Sequence, residues 1–565
     1  MPKISAYEIE REANIARNRA LLEQLELKET VASLGLPSAA PGKSTAKPVQ
    51  PNKRVKRERE EAAAPRRASA RLRTGPYVDP NESPKSKKER EAEQEEARAR
   101  EAEEALEAEE RARAAKRPRH DDLVLATLVE DADPMDLSSL SEALKVTSQP
   151  RRVGTVEAMS ESREAREIQE LRDKLQGLKV VSRAKVTQDR IYSAAYHPEV
   201  TKDLIFFGDK HGQLGIWDAR APRDEVGDDE TAESTSKDEQ ERGKYWRLQT
   251  HWPATSKSSI SCVKFDPIDS HNVYTSAYDS TIRALSFTTS ISREIFHAPD
   301  ALITSIDLPS SGHEMWVSDS LGGLTHLDLR EDKTARPRWY GLSDHKIGCI
   351  SVNPREPHFL LTASNSKMLS IWDARKLSTI PVEDLSAAFG KDVSTPIDFD
   401  SDTVKRFCET KKGEGCHRGE WQHGKSASSA YWDPRGRNIV STSYDDSLRL
   451  WDIDTAKLKT SGDATLPKPF RQIKHNCQTG KWLTILRAQW SLNTDCYPHF
   501  TVGNMEHSLD IYSSKGDVIA KLADRSKITA VQAVTCSHPN ITERAASGNA
   551  SGRCVLWAPA DLADS

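Results

Sequence analysis

Apolar positions along this chain follow two regimes that meet near residue 178. On the N-terminal side they have helical spacing. Ile9, Ala13, Ile15, Ala16, Ala20, Leu21, Leu22 and Leu25 predict one amphipathic helix over residues 7–27, with nothing of its own to pack against. Ile168, Leu171, Leu175 and Leu178 predict a second, short helix leading into the strand-rich region. Residues 37–84 are rich in Pro, Ser and basic side chains and have no period. Residues 87–116 alternate Glu, Ala and Arg without an apolar seam, which suits a solvent-exposed single helix with i,i+4 ion pairs better than a coiled coil. Beyond residue 178, strand-length runs of Val, Ile, Leu, Tyr and Trp alternate with Asp, Gly, Asn, Ser and Pro, the pattern of a large all-β domain.

Those strands repeat. Seven times a polar turn is followed by an alternating strand ending in Trp-Asp or a relative: residues 208–218, 278–287, 318–328, 365–373, 444–452, 504–512 and 549–557. Most units also carry an earlier strand that runs into a Pro turn, as in Tyr196-His197-Pro198, Asp433-Pro434 and His538-Pro539. The shortest spacing, about 40–45 residues, is that of a four-stranded WD blade. The expectation is an all-β fold, a seven-bladed WD-repeat β-propeller behind a long disordered and helical charged N-terminal arm. One blade cannot bury its faces alone, so the ring must close. The chain stops soon after Trp557, so the closing strand is expected from residues 178–183. The domain reading is an amphipathic helix over 1–35, a disordered basic segment and charged helix over 36–120, a linker with short helices over 121–177, and the propeller over 178–560. An acidic insertion is expected near residues 223–241 and a longer one within 376–422.

Composition agrees with a chain that is packed only in part: 36% of residues are hydrophobic and 30% charged. The net charge of -4 decides little, because the charges are unevenly placed. No run of eighteen apolar residues exists and the first residues lack an apolar h-region, so the expectation is a soluble, non-secreted protein without a membrane partner. The eight cysteines are scattered through apolar strands and read as reduced core residues of an intracellular protein.

Catalytic constellations are missing from the sequence: no phosphate loop, no Gly-x-Ser-x-Gly, no His-Glu-x-x-His and no Cys-x-x-Cys. Asp and His are plentiful but sit at blade turns, where Asp satisfies backbone donors. Cys408, Cys416, His417 and His423 are the residue types of a metal site, yet their spacing fits no compact zinc knuckle. A non-enzymatic protein without metal, cofactor or small-molecule substrate is expected. Basic clusters at 53–59 and 116–119 are of the nuclear-import or phosphate-binding type, which points to the nucleus, with a cytoplasmic pool allowed. Arg66, Arg67, Arg71 and Arg73 form a denser patch that can neutralise phosphates without reading sequence.

The opening helix with Tyr7, Ile9, Asn14, Ile15 and Arg19, the patch from Arg66 to Arg73, and the propeller occur in one order. In that order they resemble the fungal "changed mutation rate" DNA damage-binding WD-repeat family, over nearly the whole chain. The resemblance implies a nuclear, chromatin-associated protein that binds double-stranded DNA and prefers damaged DNA of the UV type. The propeller is more distantly similar to the small subunit of the UV-damaged-DNA-binding complex, which inserts a hairpin between two blades into the minor groove. The matching segment here is 475–484, where Gly480, Lys481 and Trp482 replace the wedge residues; an aromatic side chain can stand in for an unstacked base while Lys holds a phosphate. By the same resemblance, Lys346 and Arg190 fall where that relative contacts DNA. Asp218 with Arg220, and Asp373 with Arg375, match the Trp-Asp-x-Arg pattern by which cullin-4 substrate receptors dock their adaptor. An alternative function is therefore a protein-interaction scaffold or cullin-4 substrate receptor, binding chromatin proteins or histones.

Overall fold

The computed structural model describes residues 120–129, 134–156, 160–222, 242–298, 300–330, 336–382, 396–460 and 465–563. The helices expected over 7–27 and 87–116, the basic clusters, Arg66, Arg67, Arg71, Arg73 and the acidic insertion lie outside them.

Seven antiparallel sheets of four main strands stand side by side as a closed propeller. Blade 1 holds Ile191–Tyr196, Leu204–Asp209, Gln213–Asp218 and Lys244–Gln249 in spatial order. Blades 2 to 6 begin at Ile260–Phe265, Ile303–Asp307, Ile347–Val352, Ala427–Trp432 and Gln489–Trp490. Blade 7 holds Val534–Ser537, Ala545–Gly548 and Arg553–Ala558. Its fourth strand is Lys179–Lys185, paired antiparallel to Arg553–Ala558, so the first strand of the β domain closes on the last as the sequence required. The first strand of each blade faces the central channel.

The second strands are buried along nearly their whole length because blades stack on both of their faces; Leu204–Asp209 is buried throughout. Trp217, Trp451 and Trp557, the aromatic members of three repeats, are at most 1% exposed between blades. The turn between the second and third strands uses one left-handed residue in every blade: Gly212, Ser280, Gly322, Lys367, Asp446, His507 and Gly552, with φ between 59° and 91°. At Gly322 a Cβ would meet the Ser343 carbonyl oxygen, so glycine is required there; Ser280, Lys367, Asp446 and His507 accept the strain in four other blades. The turn aspartates satisfy that turn: Asp209 Oδ1 accepts the His211 and Gln213 backbone N–H groups at 2.8 Å each. His251 is enclosed between Asp279 (3.1 Å) and Thr275 (2.9 Å), a structural role for a buried histidine.

Two blades gain a fifth strand. Leu123–Val124 pairs with Ile291–His297 of blade 2. Ile397–Phe399, from the long insertion, adds in parallel to blade 3. Residues 139–154 then form a strap over one end of the channel. Leu140 packs with Leu204, Phe206 and Trp246. The Thr147 N–H donates to Glu199 (2.6 Å), the Gln149 N–H to Ser270 (3.1 Å) and the Gly154 N–H to the Pro434 carbonyl (2.9 Å). Arg152 pairs with Asp495 at 2.6 Å. These anchors belong to blades 1, 2, 5 and 6. Helix Glu161–Gln176, capped by Ser160, lays Leu171 and Leu175 against Tyr497, Leu509 and Ile519 of blade 6. Among the described residues no helix is long and apolar enough to cross a membrane.

Candidate nucleic-acid interface

Antiparallel order gives the ring two unlike faces. One carries the connectors between blades and the turns between second and third strands; the other carries the strap, the Pro turns and the ends of the third strands. Gly480, Lys481, Trp482, Lys346 and Arg190 all lie on the connector face. Asp218, Arg220, Asp373 and Arg375 lie on the strap face.

The 475–484 segment joins blade 5 to blade 6 and contains no paired strand, so it is a loop rather than a hairpin. Its shape comes from anchors at both ends. The His475 N–H donates to the Asp446 carbonyl (3.0 Å), and the Cys477 N–H to Asp446 Oδ1 (3.0 Å). The Gln478 amide donates to the Tyr444 carbonyl at 2.6 Å. At the far end the Thr484 hydroxyl donates to the Ile191 carbonyl of blade 1. Leu483, Leu486, Met505, Val531 and Ala533 pack beneath it. The loop thus spans from blade 5 to blade 1 at the channel mouth. Gly480 turns at its tip with φ of 59° and open space around it. Trp482 follows at 82% exposure, more than any other large apolar side chain among the described residues.

Arg190 reaches the loop: Nη1 donates to the Lys481 carbonyl at 3.1 Å, and its guanidinium lies 5.9 Å from the Tyr192 ring centroid. Burial raises the Tyr192 phenol. Lys346 Nζ donates to the Tyr278 hydroxyl (3.2 Å) and stands 5.0 Å from that ring. Both cations keep their charge unmatched by carboxylate. So do Lys481, Lys210, Lys367 and Lys425, which make no ion pair among the described residues. Three carboxylates close to these cations are engaged by the protein itself. Asp189 holds His211 (2.8 Å), Asp446 holds the loop, and Asp445 pairs with Arg449 at 2.8 Å. Burial works to raise Asp445, and Arg449 and Ser447 overcome it, holding it at about 2. Lys210, Lys367 and Lys425 were not singled out from sequence. Their signal was positional, at the connectors and the second turn of each repeat.

On the strap face, Arg220 pairs with fully buried Asp203, which also accepts from Tyr196 and lies 3.4 Å from Arg544. Burial raises the neighbouring Asp218 carboxyl. Asp373 is wholly buried and takes Arg375 at 3.0 and 2.8 Å and Arg418 at 3.1 Å. Burial works to raise its carboxyl; the two guanidiniums hold it low. These pairs fasten their blades, and of the two arginines only Arg375 is broadly exposed, at 58%.

Cys408, Cys416, His417 and His423 do not converge. The Cys416 thiol lowers that of Cys408, His417 lies against Trp372 at 4.6 Å, and His423 Nδ1 accepts from the Arg449 guanidinium at 2.9 Å. Among the described residues no group of three His, Cys, Asp or Glu is placed to hold a metal ion.

Residues 417–452 match the family model "WD domain, G-beta repeat". That span is the fourth strand of blade 4 and the first three of blade 5, so the sequence repeat is staggered against the blade. The whole chain is similar to proteins named DNA damage-binding protein CMR1. In Cryptococcus neoformans the identity is 37% over 99% of this chain and 100% of the relative. In Mycosarcoma maydis it is 32% over 98% and 99%, and in Neurospora crassa 33% over 98% of each.

Proposed function

The chain belongs to the fungal DNA damage-binding protein family of these relatives, and on that premise we propose that it is a non-catalytic DNA-binding propeller that prefers damaged duplex. The observation that carries this reading is Trp482, 82% exposed on a loop tied at both ends amid cations without carboxylate partners. Lys481, Arg190, Lys346, Lys210, Lys367 and Lys425 hold phosphates, and Trp482 stacks where a base is already loosened. Lesions of the UV type weaken stacking, so a wedge enters them at lower cost, which gives preference without base readout. Arg66, Arg67, Arg71 and Arg73 add a sequence-independent tether. The basic clusters at 53–59 and 116–119 support a nuclear site of action, on chromatin. Asp203 and Asp373 hold the strap face in shape, and Arg375 is its best candidate for a protein contact, such as a cullin-4 adaptor or a histone.

The test is a salt-dependent titration of the full chain on intact and UV-irradiated duplex, against a Lys481→Ala/Trp482→Ala variant. Preference for irradiated duplex that disappears in the variant is the expected result. Equal preference in both would remove the loop from the mechanism.

A further inference from the structure

The central channel carries a charge imbalance unconnected with the loop above it. A cavity of about 180 Å³ lies between the first strands and the strap. Four basic side chains border it, Arg151, Arg152, Lys264 and Arg487, against the single carboxylate of Asp266. Two of the cations are matched outside it: Arg152 by Asp495 at 2.6 Å, and Lys264 by Asp307 at 3.2 Å. Asp266 is spent on its own turn and strand. Its Oδ1 accepts the Ile268 and Asp269 N–H groups, and its Oδ2 the Tyr274 hydroxyl at 3.1 Å.

The side chains of Arg487 and Arg151 make no hydrogen bond or ion pair among the described residues. Arg487 Nε is buried without a partner. Its polar neighbours are neutral near pH 7, since burial drives the Tyr431 phenol and the Cys349 thiol upward. Arg487, Lys264 and Arg151 all line this one cavity. A guanidinium whose Nε is buried and unpaired, with no counter-charge beside it, is costly. Its planar fork matches the paired oxygens of a tetrahedral oxyanion. A dry cavity of about 150 Å³ accepts a molecule as large as benzene, so size is no obstacle.

We propose that the channel binds a phosphate-type oxyanion, gripped by Arg487 from the ring and Arg151 from the strap. Such a ligand ties the strap to blade 6 and stabilises the assembled propeller by mass action. It is distinct from the duplex on the connector face.

The experiment is thermal unfolding of the full chain at pH 7 in rising inorganic phosphate, against chloride of equal ionic strength. A saturable rise in Tm specific to phosphate is expected. Arg487→Met loses that rise and is no less stable in chloride, because it removes an unmatched charge. Arg487→Lys, which keeps the charge and folds with least risk, shifts the half-saturating concentration upward. Lys481→Ala keeps the wild-type rise, separating this site from the DNA face. A second arm with a nucleoside monophosphate, also required to depend on Arg487, tells a nucleotide from a free anion. No phosphate-specific rise in the wild type, or an undiminished one in both Arg487 variants, overturns the proposal.

Discussion

Replacing Trp482 by alanine separates recognition from folding more cleanly than any other single change in this molecule. The indole is 82% exposed, leaving under a fifth of its surface covered. A fully buried Trp covers roughly 150–250 Å². At roughly 25 cal/mol per Å² the covered remainder is worth about 1 kcal/mol or less, so Tm should hardly move. Stacking of one base on an aromatic side chain contributes roughly 1–3 kcal/mol. That is about 5- to 150-fold in affinity, and it falls on the duplex whose base can unstack. Fluorescence anisotropy on UV-irradiated and intact duplex of one sequence should show the irradiated affinity falling by that factor, with the intact affinity nearly unchanged. Trp490→Ala is the contrasting control. That indole is 6% exposed, with Nε1 donating to the Tyr431 carbonyl at 2.9 Å. Its loss should cost about 3–5 kcal/mol of stability. Trp482→Ala binding both duplexes with wild-type affinities, or losing affinity equally for both, would refute the wedge.

The same geometry sets three further outcomes. Alanine at Lys346 should weaken intact and irradiated duplex alike and reduce the salt slope by about 0.9 for each phosphate left unneutralised, whereas Arg190→Ala should also erode preference, because Arg190 braces the Lys481 carbonyl. Glu199 works against its burial by accepting the Val200, Thr201 and Thr147 N–H groups, which hold it at about 2; Glu199→Gln should lower Tm and raise proteolytic cutting within 145–154, and unchanged protection would count against the strap's anchorage. His197, His423 and His538 are buried and held at about 4 against an ordinary 6.5, so the unfolded chain takes protons the folded one refuses, and stability is lost as pH falls from about 6.5 to 4. Burial also raises Asp209 and Asp433 to about 6, which favours the folded state over part of that range, but two carboxyls stand against three imidazoles. Tm should therefore fall on acidification from pH 7 to 4.5, and less steeply in His538→Gln; a flat or rising Tm would reverse the assignment.

Blades were legible because their signal is periodic and local. Each turn, strand and Trp-Asp ending recurs along the chain, and Lys179–Lys185 closes the ring on Arg553–Ala558. The added strands were not legible. Leu123–Val124 is too short to show alternation, and Ile397–Phe399 lies in an insertion whose docking on blade 3 depends on a surface formed elsewhere. The strap was equally opaque, because it is held through backbone N–H groups, which every sequence supplies. On the connector face, Trp482 could be placed only by likeness to a relative. The structure adds what spacing cannot carry: the exposure of the indole, the Arg190 brace, and the loop's reach to blade 1. Charge matching is also invisible in sequence, which is why Arg487, one arginine among many, became conspicuous only with its neighbours in place.

The place where the described chain begins bears on the proposed cationic tether. Leu123 pairs with Ser292 and Val124 with Ile291, so the chain, followed backwards, runs toward His297. His120 indeed lies 3.0 Å from Glu294 and has its ring 4.8 Å from that of His297. His297 ends a fourth strand, and fourth strands end at the connector face. The described chain begins at His120, at the rim of the face that carries Trp482; a sequence-independent cationic tether adds affinity without adding discrimination. The division of labour has a definite consequence. Removing residues 1–119 should weaken intact and irradiated duplex by the same factor and flatten the salt slope, while the ratio between the two duplexes stays at the value set by the loop. A ratio that collapses with the arm, and persists in full-length Trp482→Ala, would move damage recognition from the propeller to the arm.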